Sequence, residues 1–117
     1  METFRRILHI EDSLADHQLA RITLQRSGAR FDIVHIDSLQ ALQQLELHAF
    51  DLILADYRLP GFTALDVWAH VASQPAHPPC VLLSGAIGEA AAVDAMRLGL
   101  SDYLLKDDIA RLPHVVA

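Results

Sequence analysis

The sequence predicts an α/β domain built on a five-stranded parallel sheet, and two observations carry that prediction. First, short, nearly continuous apolar runs alternate with segments of helical periodicity along the whole chain. That is the pattern of strands buried on both faces and joined by crossover helices. Second, polar residues stand where four of the apolar runs stop. Leu8-His9-Ile10 runs into Glu11-Asp12, Leu52-Ile53-Leu54-Ala55 into Asp56, Cys80-Val81-Leu82-Leu83 into Ser84, and Tyr103-Leu104-Leu105 into Lys106, the only lysine of the chain. Right-handed crossovers restrict the topology. Five strands fit the doubly wound order 2-1-3-4-5, whose switch point between strands 1 and 3 takes ligands at the carboxyl strand ends.

The elements follow in order. Strand 1 covers about Arg6 to Ile10. Ser13 caps helix 1, with Asp16 completing a weak capping box. Leu14, Leu19, Ile22 and Leu24 supply its apolar positions, and Gly28 closes it. Strand 2 covers about Asp32 to Ile36, and Asp37 or Ser38 starts helix 2, which carries Leu39, Leu42 and Leu45 at helical spacing. Asp37 is expected on an edge of the sheet, as a helix cap. Strand 3 covers about Leu52 to Ala55. Leu59-Pro60-Gly61 turns the chain into helix 3, about Ala64 to Ala72. Gln74 to Pro79 reads as a loop. Strand 4 is about Val81 to Leu83, helix 4 about Glu89 to Leu98 with a stop at Gly99, and strand 5 Tyr103 to Leu105. Pro113 suits a first helical turn, so a last helix starts near Leu112 or Pro113.

Composition bounds the function. With 117 residues, 52% of them apolar and 21% charged, residues 1–117 form one domain with a sizeable core. A net charge of −6 argues against a nucleic-acid face. One cysteine excludes an internal disulfide and suits a reducing cytoplasm. Cys80 opens an apolar run and is expected to be a buried structural thiol. No apolar stretch is long enough to span a bilayer. The seven histidines include no H-x-x-x-H pair on a helix, and His9, inside strand 1, is expected to pack in the core.

Glu11, Asp12 and Asp56 bring three carboxylates to the switch point, where they repel and raise one another's pKa values. A hard divalent cation resolves the repulsion, and an all-oxygen set suits Mg2+ better than zinc. The lysine then faces a site in which a carboxylate can act as nucleophile and hold phosphate covalently. Strands 3 and 5 are separated by about 10 Å. A long lysine side chain and a phosphorylated Asp56 can close that gap, and Ser84 on the intervening strand can donate its hydroxyl.

Four motifs together resemble the receiver domain of two-component response regulators: Ile10-Glu11-Asp12-Ser13, Ala55-Asp56-Tyr57-Arg58-Leu59-Pro60-Gly61, Leu83-Ser84-Gly85 and Ser101-Asp102-Tyr103-Leu104-Leu105-Lys106. The resemblance covers nearly the whole chain and implies a flavodoxin-like fold. It implies that Asp56 is the phosphoacceptor and that Glu11, Asp12, Asp56 and the Arg58 backbone carbonyl hold Mg2+. Ser84 and Lys106 would sense the phosphoryl group, and Tyr103 would be an aromatic switch. The phosphodonor would be a partner histidine kinase or phosphotransfer protein, and the output or sensor domain would lie in a missing part or another protein. Such a module is not a separate-substrate enzyme. The Arg58 side chain could lie over the mouth of the site and alter the lifetime of the aspartyl phosphate.

The chain departs from the family in two places. Many receivers carry a proline after the lysine, preceded by a cis peptide, whereas Asp107 stands here, so the loop after strand 5 is expected to differ. The final helix is truncated, as though the domain were cut from a longer protein. In the receiver topology it shares a face with helix 1, so its shortening is expected to expose apolar side chains of strands 1 and 5 and part of helix 1, and either to favour a dimer or to lower stability relative to a longer chain. The alternative function is a pseudo-receiver, a constitutive interaction domain that keeps the fold without switching. An aspartyl-phosphate phosphatase would need an acid where Arg58 stands. A nucleotide-binding domain would need a Gly-rich loop after strand 1, and none follows.

Overall fold

Period-two alternation in the strands sorts their side chains onto two faces of one sheet. The computed structural model describes residues 5–28, 30–85 and 89–116. Strands β1 (Arg5–Ile10), β2 (Phe31–Ile36), β3 (Leu52–Ala55), β6 (Cys80–Ser84) and β7 (Asp102–Leu105) form the sheet. Its order is β2-β1-β3-β6-β7 and every pairing is parallel, which is the expected doubly wound order. A separate antiparallel ribbon pairs β4 (Arg58–Leu59) with β5 (Phe62–Thr63). Pro60-Gly61 joins them, and Gly61 at φ 80° supplies the left-handed residue that a tight turn after proline requires. The sequence reading has the turn but not the ribbon.

Helices α1 (Leu14–Arg26), α2 (Leu39–Gln43), α3 (Ala64–Ala72), α4 (Glu89–Arg97) and α5 (Leu112–Val116) cover the two faces. Ile7, Leu52, Leu54, Val81, Leu83 and Leu104 pack under Ala20 and Leu24 of α1 and Leu112 of α5. Leu8, Ile10, Ile53, Ala55, Cys80 and Leu82 pack on the other side, against Leu42 of α2, Val67 and Val71 of α3 and Ala95 of α4. Cys80 is fully buried, and burial pushes its thiol up to about 12. None of the helices among the described residues is long and apolar enough to cross a membrane.

Local signals act largely as expected. The Ser13 side chain accepts from the Asp16 amide, and the Ser38 side chain from the Ala41 amide, so Ser38 rather than Asp37 caps α2. Thr63 and Asp66 form a reciprocal capping box at α3. Leu45 lies beyond the end of α2 but still packs on the core.

Two expectations need correcting. Helix α1 does not bury Leu14, Leu19 and Ile22, which are 60%, 48% and 42% exposed. Its inward stripe is His17, Ala20 and Leu24. Nor are the apolar side chains of strands 1 and 5 left open: Ile7 of the interior strand β1 and Leu104 of the edge strand β7 are buried, because Leu112, itself fully buried, lies over that face. After β7 a 3-10 helix, Lys106–Arg111, leads directly into α5. Every peptide bond among the described residues is trans.

Candidate functional site

The carboxyl ends of β1, β3, β6 and β7 converge because the strands are parallel and in register. Ile10 pairs with Ala55 and Ser84 with Leu105, so Glu11, Asp56, Ser84 and Lys106 emerge on one rim. Backbone hydrogen bonds extend the sheet into that rim. The Glu11 amide donates to the Ile36 carbonyl and the Asp56 amide to the Ile10 carbonyl, both at 3.0 Å.

Glu11, Asp12 and Asp56 each offer a carboxylate oxygen within 4.8 Å of the others. Glu11 and Asp56 are almost completely buried, while Asp12 is exposed at the mouth. Glu11 Oε1 accepts from the Ser13 amide at 3.1 Å. Its Oε2 lies 2.9 Å from Lys106 Nζ in an ion pair. Burial pushes the Glu11 carboxyl up to about 7, against the pull of Lys106. Three carboxylates with converging oxygens, two of them buried, are a donor set that fits a hard divalent cation.

Lys106 crosses the rim as the sequence requires. Its Nζ lies 3.3 Å from Asp56 Oδ2, 2.9 Å from Glu11 Oε2 and 2.7 Å from Asp16 Oδ2. Burial pulls the amine down, but Asp16 and Glu11 outweigh it and hold its pKa above the usual range. Ser84 is buried at the end of β6. Tyr103 is half-buried and packs on the face shared with α3 and α4. The Arg58 backbone pairs with Thr63 in the ribbon just after Asp56; its side chain lies outside the described residues.

The sequence reading misses two features here. Asp16, read only as part of a helix cap, turns its carboxylate to Lys106 instead. The second is a histidine cluster directly behind the acids. His9 and His35 are register partners on β1 and β2, and His17 of α1 packs over them. The His17 and His35 rings stack at 4.1 Å and 9°, and His9 Nδ1 lies 3.0 Å from His17 Nδ1. His35 Nε2 donates to the Glu11 carbonyl at 2.6 Å. His9 is fully buried and its Nε2 has no partner. Burial lowers the His9 pKa to about 3 and, more than its neighbours His35 and Arg21, also lowers that of His17. His9 is thus a core histidine, as expected, but in a polar niche. Nothing in the one-dimensional spacing of residues 9, 17 and 35 marks it.

The family model of the response regulator receiver domain matches residues 7–117. The response regulator protein FleR of Pseudomonas aeruginosa is 33% identical over 107 residues, which span 91% of this chain and 22% of that protein. The chain therefore spans about a fifth of FleR's length. The two-component response regulator ORR12 of rice, Oryza sativa subsp. japonica, is 30% identical over 114 residues, which span 94% of this chain and 93% of that protein. Among solved structures, the Mn2+-bound form of response regulator Rcp1 superposes with a TM-score of 0.78 at 27% identity, covering 96% of this chain and 91% of that one.

Proposed function

Because the chain belongs to the response regulator receiver domain family, we propose that it accepts a phosphoryl group on Asp56 with Mg2+ and uses the modified site to switch an interaction surface. Receiver domains act in phosphorylation-dependent signalling. The observation that carries the finer reading is the single lysine, whose Nζ lies 3.3 Å from the Asp56 carboxylate and beside the three clustered acids.

In this reading Asp56 Oδ attacks the phosphorus of a phosphohistidine on a histidine kinase or phosphotransfer protein. The O–P bond forms as the P–N bond breaks, and the imidazole takes the electron pair. The residues of this chain chiefly hold position and charge. Glu11, Asp12, Asp56 and the Arg58 carbonyl would hold Mg2+, which when bound neutralises phosphoryl charge. Lys106 pairs with a phosphoryl oxygen, and Ser84 donates its hydroxyl to the same group. Tyr103, half-buried on the α3–α4 face, is the side chain that would report the change to a partner. The domain works in the cytoplasm as a signalling module, and its output lies in another segment or protein.

Labelling by acetyl phosphate, or complex formation with beryllofluoride, tests this. Both should require Mg2+ and disappear in Asp56→Asn. Equal labelling of that variant would overturn the assignment of Asp56. A protein that takes no phosphoryl group or analogue under any metal condition would instead be a pseudo-receiver.

A further inference from the structure

We propose that Asp16 is a positioning residue that competes with the phosphoryl group for Lys106 and so acts as a brake on phosphoryl capture. The inference rests on the reading of Asp56 and Lys106 given above and goes beyond it. An ammonium has three N–H donors and no acceptor, and Lys106 Nζ meets three carboxylates. The shortest of the three contacts, 2.7 Å, is to Asp16 Oδ2. Asp16 and Asp56 both accept hydrogen bonds from Nζ, at 2.7 and 3.3 Å.

The three acids are not equivalent. Glu11 and Asp56 belong to the carboxylate cluster at the strand ends, whereas Asp16 does not. A cation drawn into that cluster would take up the charge of Glu11 and Asp56 and leave Asp16 as the lysine's remaining partner. Asp16 also comes from a different element. It sits in the first turn of α1, where its own amide is capped by Ser13 Oγ at 3.2 Å. The Ser13 amide, which the Asp16 carboxylate would accept in a capping box, donates instead to Glu11 Oε1 at 3.1 Å, and the Asp16 carboxylate turns across the rim to Lys106. To reach a phosphoryl oxygen on Asp56, the ammonium has to leave or share Asp16. The Asp16 side chain is 42% exposed and that of Lys106 20%, so solvent screens the pair and the competition is modest. Removing it should change phosphoryl-analogue affinity by about threefold, in keeping with a partly exposed ion pair.

The test uses beryllofluoride with Mg2+ on the whole chain. Asp16→Asn should bind the analogue about threefold more tightly than wild type, and Asp16→Glu, which keeps the charge, should restore the weaker binding. A carboxylate near an anion could also act by simple repulsion, without the lysine. Lys106→Met separates the two: in that background Asp16→Asn should have no effect. A threefold gain that persists without the lysine would overturn the inference, and so would Asp16→Asn binding like wild type. The unliganded protein gives a second reading, because the Lys106 ζ-amine resonance should move in Asp16→Asn; an unmoved resonance would also overturn it. If wild type takes no beryllofluoride at all, the reading of Asp56 fails first and the Asp16 inference falls with it. If wild type binds and only the Asp16 variants fail to respond, the Asp16 inference fails alone.

Discussion

Acidification should reveal two opposed buried groups, one in the acid cluster and one behind it. His9 has an ordinary imidazole value of 6.5 when unfolded and about 3 in the fold, mainly because burial penalises its charged form. Between those values the unfolded chain binds the proton and the folded one does not. Stability contributed by the neutral ring is therefore complete above about pH 6.5 and is lost as pH falls toward 3. One pKa unit is worth about 1.4 kcal/mol, so going from about pH 7 to about pH 5 costs about 2 kcal/mol through His9 alone. The lowered His17 acts in the same direction.

Glu11 has the opposite sign. Its carboxyl rises from 4.5 to about 7 on folding, chiefly through burial. Between those values the folded protein binds the extra proton, so acidification over the same interval stabilises the fold, by about 2–3 kcal/mol. The wild type without metal should thus show a shallow pH dependence that conceals two steep ones. Urea unfolding followed by far-UV circular dichroism, in metal-free buffer at about pH 7 and about pH 5, separates them through single variants. His9→Leu should gain about 2 kcal/mol at the lower pH relative to its own value at the higher one, beyond any change in wild type. Glu11→Gln should lose a similar amount over the same interval. Only the slope is read, so any packing cost of the substitutions drops out. If His9→Leu and wild type have parallel pH profiles, the neutral buried ring is not the source of acid sensitivity, and the reasoning is refuted.

Three further outcomes are expected of the site and the fold around it. Asp12→Ala should weaken Mg2+ binding at least tenfold by calorimetry, because it removes one of few charged oxygen donors; unchanged affinity would remove Asp12 from the metal site. Lys106→Ala and Ser84→Ala should keep the native circular dichroism spectrum yet lose most of the amide shift that beryllofluoride induces, and a wild-type shift in both would show that neither group meets the phosphoryl position. Gly99→Ala should cost about 1–3 kcal/mol in urea unfolding. Gly99 has φ 110°, and an added Cβ would stand 3.0 Å from Trp68 Cζ2 while the indole Nε1 donates to the Leu98 carbonyl; an unmoved midpoint would show that the indole gives way freely.

Most of the architecture is legible in the sequence because its signals are local. Leu52 to Ala55 and Ala64 to Ala72 are read to the residue. A short apolar run between polar residues fixes the first, and the Leu59-Pro60-Gly61 turn sets the start of the second. Elements without such signals are missed. The Arg58–Leu59 and Phe62–Thr63 ribbon is two residues on each side, too short for any alternation. The Lys106–Arg111 3-10 helix buries none of its residues and so imposes no apolar period on its sequence. Helix α1 misleads for the converse reason. Its inward stripe includes a histidine, while three aliphatic residues face outward. A rule that puts aliphatic residues inside then selects the wrong face, since exposed apolar residues are common.

The site divides along the same line. Glu11, Asp12, Asp56, Ser84 and Lys106 can be read because each ends a strand, and parallel order alone brings strand ends together. Asp16 and the histidines cannot. Their meeting depends on how α1 rotates over the sheet, and no residue spacing within α1 encodes the position of β2 or of Lys106. One rotation, however, sets both features. The turn of α1 that brings His17 inward against His9 and His35 also carries Asp16, one residue earlier, to the rim where it meets Lys106. The polar niche and the lysine's extra partner are therefore two consequences of one packing choice. A substitution that forces α1 to rotate, such as a bulkier residue at the fully buried Ala20, should disturb the histidine stack and the Lys106 pair together. Imidazole resonances that shift while the Lys106 ζ-amine stays fixed would show the two to be independent.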